Sequence, residues 1–377
     1  MPVLALHNPV MQYAWGGTDA LSTWTGVSNP DGQPQAELWL GAHPRAPSRI
    51  DGAQGPRLDA YLREHPSALG SRLETLPFLM KVLAARRPLS IQCHPSQEEA
   101  ERGFALEQAQ GLALDDPKRN YKDPFAKPEM VVALSSFRAL EGFRAPSAVV
   151  EDLVRFQIEV PDPLQWGADP IAFMLDMLLG AAPEDAARLL TALLSRSDPD
   201  LQSLRDIHAH HPGEAGCLAA VFLNQVVLEP GEALFLGPRR LHAYLEGVAV
   251  EVMGNSDNVL RGGLTPKHID PDAVRQTVER SASPPQRVKP SPTGPWTDYP
   301  AETTAFMLDV GQPEQRLAGP RQMGVPEILF SPLGRMELEA DDGPITVESP
   351  AGLFVGADVS SYRLKSTRSV FRCTTGR

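Results

Sequence analysis

The chain is poor in cysteine, with only Cys93, Cys217 and Cys373 among its 377 residues. The three are odd in number and far apart, so they form neither a disulfide framework nor a CxxC metal site. Small secreted proteins stapled by disulfides are therefore excluded, and a reducing compartment is favoured. We expect a cytoplasmic protein.

Several other signals are missing. The N-terminal segment MPVLALHNPV has no basic region followed by an apolar run, so we expect no secretory signal peptide. No segment approaches the roughly 20 apolar residues of a transmembrane helix. Positive charge is not in excess either, because 35 Lys and Arg against 47 Asp and Glu give a formal net charge of -12. This charge argues against nucleic acid or an anionic membrane as the partner, and an anionic ligand would need a local basic pocket.

Proline is abundant, at 37 residues, and short apolar runs separated by turn residues favour many short strands. Helices are predicted in two places. A capping box at Ser96 and Glu99 predicts a helix to about Gln110, and a leucine repeat around residues 189–194 predicts a helical segment. The sequence thus predicts a mainly β protein with a helical insertion. The predicted division is a catalytic β domain (1–145 and 224–282), a helical insertion (146–223), a Pro-rich linker (283–300) and a C-terminal β domain (301–377).

A short internal similarity links the two β domains. Gly231–Gly237 and Pro350–Gly356 are both apolar runs that end in glycine, and His242 and Ser361 follow each run at the same distance. We interpret this as two related β-barrel units, the second of which lacks the histidine.

Three segments carry residues that suit a metal site. Gln92 and His94 are two positions apart in a predicted strand, and so are Lys127 and Glu129, so that each pair shares one strand face. His242 follows a predicted strand and turn. Two histidines and a carboxylate are ligands that zinc takes readily, whereas an amide such as Gln92 is an uncommon ligand.

A second group of residues suits an anion. Arg261 and Lys267 lie on either side of Gly262 and Gly263, where the missing side chains let a ligand approach the backbone. Guanidinium and ammonium groups suit a phosphate or a developing enediolate. The neighbouring histidines of the helical segment, His208, His210 and His211, are expected to face solvent.

Longer segments resemble the type I mannose-6-phosphate isomerases in the order in which that family has them. The resemblance runs from about residue 8 to 280 and lies in the segments AELWLGAHP (36–44), LPFLMKVL (76–83), PLSIQCHP (88–95), NYKDP (120–124), KPE (127–129), GEALFL (231–236), HAYL (242–245) and EVMGNSDNVLRGGLTPK (251–267).

This resemblance implies a fold, an activity and a set of site residues. The fold would be a catalytic cupin (jelly-roll) barrel with a helical insertion and a degenerate C-terminal cupin-like domain. The activity would be interconversion of mannose 6-phosphate and fructose 6-phosphate, in carbohydrate metabolism, through an enediol. One Zn2+ per chain would be held by Gln92, His94, Glu129 and His242. The family's active-site positions fall on Arg261, Lys127, Asp257 and Glu251 as catalytic residues and on Ser90 and Lys267 as substrate-binding residues. We expect a monomer whose partner is a small sugar phosphate.

The chain departs from the family pattern at one place. The family usually has Asn-His directly before Lys-Pro-Glu, where this chain has Phe125 and Ala126. Alanine cannot transfer a proton. Either the pocket is repacked around Phe125 and other residues carry the protons, or activity is reduced, or the substrate differs.

Two further hypotheses stay open from the residues. His94, His242 and Glu129 would also satisfy the iron site of a cupin oxygenase, although Gln92 and the cations count against it. Ala126 leaves room for a non-catalytic or altered-specificity sugar-phosphate-binding protein. A nicotinamide or flavin enzyme is not indicated, because no G-x-G-x-x-G motif is present.

Overall fold

The computed structural model describes residues 3–376, so residues 1–2 and 377, at the ends of the predicted first and last domains, lie outside the described part. Strands predominate, as predicted. The N-terminal region comprises β1 (Val3–His7), β2 (Val10–Met11), α1 (Ala20–Thr25), β3 (Glu37–Leu40), β4 (Arg49–Ile50), α2 (Leu58–Glu64), β5 (Phe78–Ala85), β6 (Ile91–Cys93), α3 (Gln97–Ala109), β7 (Glu129–Ala133) and β8 (Phe137–Phe143).

The predicted helical insertion follows. It comprises α4 (Pro146–Arg155), α5 (Asp162–Trp166), α6 (Pro170–Leu178), α7 (Pro183–Leu194), α8 (Gln202–His210) and α9 (Ala219–Phe222), and the remaining short helical turns are 3-10 helices at Pro66–Leu69, Pro199–Leu201 and Ala215–Leu218. The chain then returns to the sheet with β9 (Leu223–Leu228), β10 (Ala233–Leu236), β11 (His242–Gly254), β12 (Leu260–Gly263) and α10 (Pro271–Thr277).

The C-terminal region is almost entirely β. Its strands are β13 (Arg287–Val288), β14 (Ser291–Thr293), β15 (Trp296–Tyr299), β16 (Met307–Gly311), β17 (Leu317–Gly319), β18 (Glu327–Phe330), β19 (Arg335–Ala340), β20 (Gly343–Glu348), β21 (Gly352–Val355), β22 (Tyr362–Ser366) and β23 (Val370–Thr374). Within the described residues, no helix has the length and apolar character needed to cross a membrane.

The strand β5 forms the centre of the catalytic sheet. It is paired on one side with β3 and on the other with β11, in the order β10-β7-β11-β5-β3. Every residue of β5 is buried, which explains why its sequence FLMKVLAA is apolar apart from one lysine, since a strand covered on both faces has no solvent side. This sheet supplies the acidic and basic side chains of the site.

The capping box of α3 is confirmed. The Ser96 hydroxyl accepts a hydrogen bond from the Glu99 backbone amide, and the Glu99 carboxylate accepts one from the Ser96 amide (2.8 Å). These bonds satisfy two amides at the start of the helix that have no partner within it. They fix where the chain turns after His94.

The helical insertion packs against the catalytic sheet. Leu189, Leu190 and Leu193 of α7 are buried in one apolar cluster that also contains Ile91 of β6 and Leu260 of β12. The insertion therefore shares a core with the two short strands that carry Gln92 and Arg261.

Strand pairing crosses the predicted domain boundaries. β1 pairs with β21 and β4, so this first strand lies in the sheet of the C-terminal region. The segment 283–300, predicted as a linker, instead contains β13, β14 and β15. Pro292 is the one proline inside these strands, and it is tolerated because β14 is an edge strand of its sheet, where an absent amide hydrogen breaks no ladder. The division into domains itself stays a prediction.

Candidate active site

Three of the four predicted metal ligands meet in the structure. His94 Nε2 lies 3.3 Å from one carboxylate oxygen of Glu129, and His242 Nε2 lies 3.5 Å from the other. The ligand atoms of the three residues lie within 4.8 Å of one another, and all three side chains are buried. Two imidazoles and a carboxylate in this arrangement could hold one divalent metal ion.

Backbone carbonyls orient both imidazoles. His94 Nδ1 donates to the carbonyl oxygen of Asn258 (2.7 Å), and His242 Nδ1 donates to that of Arg240 (3.1 Å). In each neutral ring the unprotonated Nε2 is then left as a ligand atom facing Glu129, the arrangement typical of metal-binding histidines. His94 Nε2 is buried and has no hydrogen-bond partner, as expected of an atom whose natural partner is a cation.

The electrostatics of this group favour a neutral His94 and a charged Glu129. Burial lowers the pKa of His94 to about 4, although Glu129 acts in the opposite direction. Burial alone would raise the pKa of Glu129, but Lys127 and His94 outweigh it and hold the pKa well below its usual value. Lys127 Nζ lies 2.9 Å from the Glu129 carboxylate. These are the protonation states that a metal requires of its ligands.

Gln92 is placed beside this group by strand pairing. It lies opposite His242 between β6 and β11, and opposite Arg261 between β6 and β12. Gln92 thus lies between the metal-site candidates and the predicted anion site.

A row of charged side chains crosses the catalytic sheet on one face. Lys81 and Glu251 are directly paired residues of β5 and β11, and directly paired residues project to the same side. Lys81 Nζ lies 3.2 Å from Glu251 and 3.5 Å from Glu37. The Tyr244 hydroxyl donates to the other Glu251 oxygen (2.9 Å). The Glu251 carboxylate is therefore held by two partners away from bulk water.

Burial controls the titration of this row. Burial raises the pKa of Glu251, with Lys81 opposing it. Burial alone would lower the pKa of Lys81, but Glu37 and Glu251 outweigh it and raise that pKa. The pKa of Tyr244 is raised by burial and by Glu251. A carboxyl group with a raised pKa is suited to exchange protons near neutral pH.

An open cavity of about 400 Å³ contains the predicted anion site. Ser90, Gln92, Arg261 and Lys267 all line it. The pKa values of Arg261 and Lys267 are lowered by burial, and for Lys267 also by Arg261. Among residues 3–376 neither cation makes an ion pair, although the chain carries an excess of acidic residues. Cations without carboxylate partners in a cavity indicate an anion site.

Asp257, another predicted catalytic residue, does not line this cavity, and neither do Lys127 and Glu251. The half-exposed Asp257 carboxylate is 3.6 Å from the buried Nε2 of His43, and its backbone amide donates to Asp123 (2.9 Å). Burial lowers the pKa of His43 to about 4, against the effect of Asp257. The structure therefore brings together the metal candidates with Lys127, and Ser90 with Arg261 and Lys267, but leaves Asp257 with a partner that the sequence analysis did not select.

Sequence reasoning missed several residues of the site. Glu37 and Lys81 were detectable as single charges inside apolar strands, because such charges are rarely buried without a partner. His210 is exposed, as expected, and His211 is intermediate in exposure, but both also line the open cavity. The remaining cavity residues that were not selected are Tyr13, Ala14, Trp15, Arg87, Pro88, Leu89, Leu264, Thr265 and Pro266.

Comparisons with known proteins agree with this arrangement. The family description "Phosphomannose isomerase type I, catalytic domain" matches residues 3–146. The mannose-6-phosphate isomerase of Salmonella typhimurium is 38% identical over 391 aligned residues, which cover 97% of this chain and 98% of that protein. The human mannose-6-phosphate isomerase is 34% identical over 71% of each chain.

A solved structure shares the fold over its whole length. A zinc-bound crystal structure of a mannose 6-phosphate isomerase matches with a TM-score of 0.91 at 35% identity, covering 100% of both chains. This protein therefore shares the fold of that isomerase. From the extent of these matches, the chain belongs to the type I mannose-6-phosphate isomerases.

Proposed function

We propose that this protein is an aldose-ketose isomerase that interconverts mannose 6-phosphate and fructose 6-phosphate. The observation that carries this proposal is the position of Gln92, which lies between the buried group of two histidines and a glutamate and a cavity lined by unpaired cations. Such a site can hold the reacting carbons of a sugar near a metal while its phosphate lies among the cations. The relatives named above carry the same activity in their names.

The metal is one zinc ion per chain, held by His94, Glu129, His242 and Gln92. The fit rests on the buried, unpartnered Nε2 of His94 and on two imidazoles already oriented through their Nδ1 atoms. Bound there, zinc would supply Lewis-acid polarisation of the sugar oxygens.

The cations of the cavity hold the substrate's negative charge. Lys267 and Ser90 bind the phosphate group, and Arg261 stabilises the negative charge that develops on the enediolate oxygens. A guanidinium group suits this task because it remains charged and offers several donors in one plane. The partial burial of Arg261 strengthens the interaction, since it lies partly shielded from water.

Proton transfer between the first two carbons needs a group that can both accept and return a proton. Glu251 has this capacity, because its pKa is raised by burial and its two oxygens are fixed by Lys81 and Tyr244. Lys127, 2.9 Å from Glu129, helps to keep that ligand ionised. The half-exposed Asp257, 3.6 Å from His43, is the second carboxylate to which we assign a catalytic role.

A cytoplasmic location and a monomeric state belong to the same proposal. The three cysteines are unpaired and buried, as expected in a reducing compartment. Size-exclusion chromatography with light scattering would test the monomer.

The deciding experiment is a coupled isomerase assay on mannose 6-phosphate, with zinc-loaded protein and with metal-stripped protein as the control. We expect zinc-dependent formation of fructose 6-phosphate. Tight binding of fructose 6-phosphate without turnover at high enzyme concentration would instead indicate a sensor. Bound iron with oxygen consumption would indicate an oxygenase, because the same three ligands also suit iron.

A further inference from the structure

The helical insertion forms one wall of the substrate cavity. His210, the last residue of α8, and His211, which follows it, line the same cavity as Arg261 and Lys267. Arg87 lines it as well and, like those two cations, makes no ion pair within the described chain. The cavity thus contains three unpaired cations and two imidazoles, and the imidazoles come from a part of the protein with no other role in the site.

The insertion is docked tightly against the loop that carries the cations. A Cβ atom placed on Gly216 would come within 3.1 Å of the Leu264 side chain, and one on Gly263 would come within 3.4 Å of Gly216 Cα. Leu264 is itself buried in the core that the insertion shares with β6 and β12. Close packing of this kind holds the insertion against the segment that contains Gly263 and Leu264 and leaves this part of the cavity wall little freedom to shift.

Local hydrogen bonds fix the ring of His211 as well. Its Nδ1 lies 3.1 Å from a carboxylate oxygen of Glu214. Its backbone carbonyl accepts hydrogen bonds from the Glu214 amide (3.2 Å) and from the Cys217 thiol (3.2 Å). The side chain is only 17% exposed. A ring held at Nδ1 and at its backbone has one orientation available.

The partner of Nδ1 determines the chemistry of the other ring nitrogen. A carboxylate can only accept, so Nδ1 of His211 carries a proton, and in the uncharged form of the ring Nε2 is therefore a hydrogen-bond acceptor. Nε2 has no partner among residues 3–376. An acceptor repels phosphate oxygens but suits a hydroxyl group, and a hexose phosphate offers several hydroxyls beside its anionic end.

We propose that His211 binds the sugar part of the substrate by accepting a hydrogen bond from a hexose hydroxyl at Nε2, while the neighbouring cations bind the phosphate. This inference rests on the proposed function for the identity of the substrate. It assigns the helical insertion a direct part in recognition: the insertion distinguishes a sugar phosphate from a bare phosphate ion.

The test compares two ligands on zinc-loaded protein by calorimetry, namely fructose 6-phosphate and inorganic phosphate. His211→Phe keeps a flat ring of similar size but removes the acceptor, whereas His211→Gln retains an acceptor oxygen. His208→Phe is the matched control, because His208 lies on the same helix and does not line the cavity.

We expect His211→Phe to weaken fructose 6-phosphate binding about threefold to tenfold, the range for one lost hydrogen bond, and to leave phosphate binding within twofold. His211→Gln should recover part of the loss.

The outcomes separate the possible roles. Equal weakening of both ligands would show that His211 contacts the phosphate, and no change in either would show that it contacts no ligand; both results overturn the proposal. An unfolded His211→Phe variant would be recognised by its melting temperature, and Glu214→Ala, which frees the ring, should then show the same selective loss for the sugar phosphate. Because binding is measured without turnover, these results remain interpretable even if the native protein does not isomerise mannose 6-phosphate.

Discussion

Lys81 and Glu251 face each other as directly paired residues of neighbouring strands, with Nζ and carboxylate oxygen 3.2 Å apart in the buried interior of the catalytic sheet. Glu37 lies 3.5 Å from the same ammonium group on its other side. A single lysine thus neutralises two buried carboxylates. Both the stability of the fold and the position of the Glu251 carboxylate therefore depend on Lys81.

Replacing Lys81 should therefore destabilise the fold strongly. Lys81→Met leaves Glu37 and Glu251 buried without their cation, and breaking a buried ion pair in this way typically costs about 3–5 kcal/mol. We expect a loss in this range in urea unfolding. The control is Arg86→Met, since its ion pair with Glu246 is exposed and should contribute at most about 1 kcal/mol. Equal effects of the two changes would contradict the assigned role of Lys81.

The metal ligands can be tested independently of activity. His242→Ala removes one imidazole from the group formed with His94 and Glu129. Opening the ligand set should abolish stoichiometric zinc, which elemental analysis of dialysed protein would measure. Chelation should lower the melting temperature of the native protein, because bound metal stabilises its folded state. It should leave the melting temperature of the variant unchanged, because the variant binds no metal. Exposed His7→Ala is the control, and one zinc per chain in the His242 variant would refute the assignment.

Part of the metal site could be predicted from local sequence, because a spacing of two residues singles out Gln92 with His94, and Lys127 with Glu129. The shared strand faces are not found, since β6 ends at Cys93 and β7 begins at Glu129, so that His94 and Lys127 lie just outside these strands. The capping box at Ser96 was equally local. The part that escaped prediction depends on partners far apart in the chain. Glu37 and Lys81 are 44 positions apart, and only the register of β3, β5 and β11 brings them to Glu251.

The same reason explains what the sequence did not reveal in the C-terminal half. The pairing of β1 with β21 joins residues 3–6 to residues 352–355, and no local pattern encodes such a contact. His211 was assigned to solvent because its helix carries no catalytic motif. Its place in the cavity follows from the docking of Gly216 against Leu264, which depends on packing between distant segments.

Arg261 should matter far more for turnover than for folding. It lines the cavity without an ion pair among the described residues, so Arg261→Ala leaves no buried carboxylate unpaired and should change the unfolding free energy by less than about 1 kcal/mol. Loss of one donor that stabilises developing charge commonly lowers the rate about 10²–10³-fold. Arg335→Ala, which removes an exposed arginine of β19 paired with Glu337, is the control. A decrease in kcat/KM of less than about threefold would assign Arg261 to the loop surface.

Acid stability should depend on His43. Its folded-state pKa of about 4 lies below the ordinary value of 6.5, so between these pH values the unfolded chain binds a proton that the folded protein does not. The unfolding free energy therefore falls as the pH drops from 6.5 to 4, by up to about 3 kcal/mol for this residue. His43→Asn should flatten this part of the curve, measured by urea unfolding at several pH values. The exposed His268→Asn is the control, and parallel curves for native protein and the His43 variant would contradict the prediction.

The backbone at Phe125 and Ala126 is fixed independently of their side chains. The Phe125 carbonyl accepts hydrogen bonds from Asn258 Nδ2 (2.9 Å) and Ser256 Oγ (3.2 Å), and the Ala126 amide donates to Gln97 Oε1 (2.9 Å). The Phe125 side chain is 43% exposed, so its bulk has not required the surroundings to repack. Both residues line a separate cavity of about 220 Å³, which shares no residue with the cavity of Arg261 and Lys267.

Restoring the family's Asn-His pair should consequently change activity little. In the double variant Phe125→Asn/Ala126→His, we expect kcat on mannose 6-phosphate to stay within about threefold of the native value, under about 0.7 kcal/mol in the barrier. The new imidazole would line a cavity that shares no residue with that of Arg261 and Lys267, and the proposed mechanism assigns proton transfer to Glu251, whose carboxylate is held by Lys81. Phe125→Asn alone is the control for the effect of the exposed ring. If the missing histidine limits catalysis, general acid–base participation worth about 10²–10⁴-fold should reappear in the double variant. An increase above about tenfold, or 1.4 kcal/mol off the barrier, would therefore show that this enzyme works with an incomplete proton-transfer site.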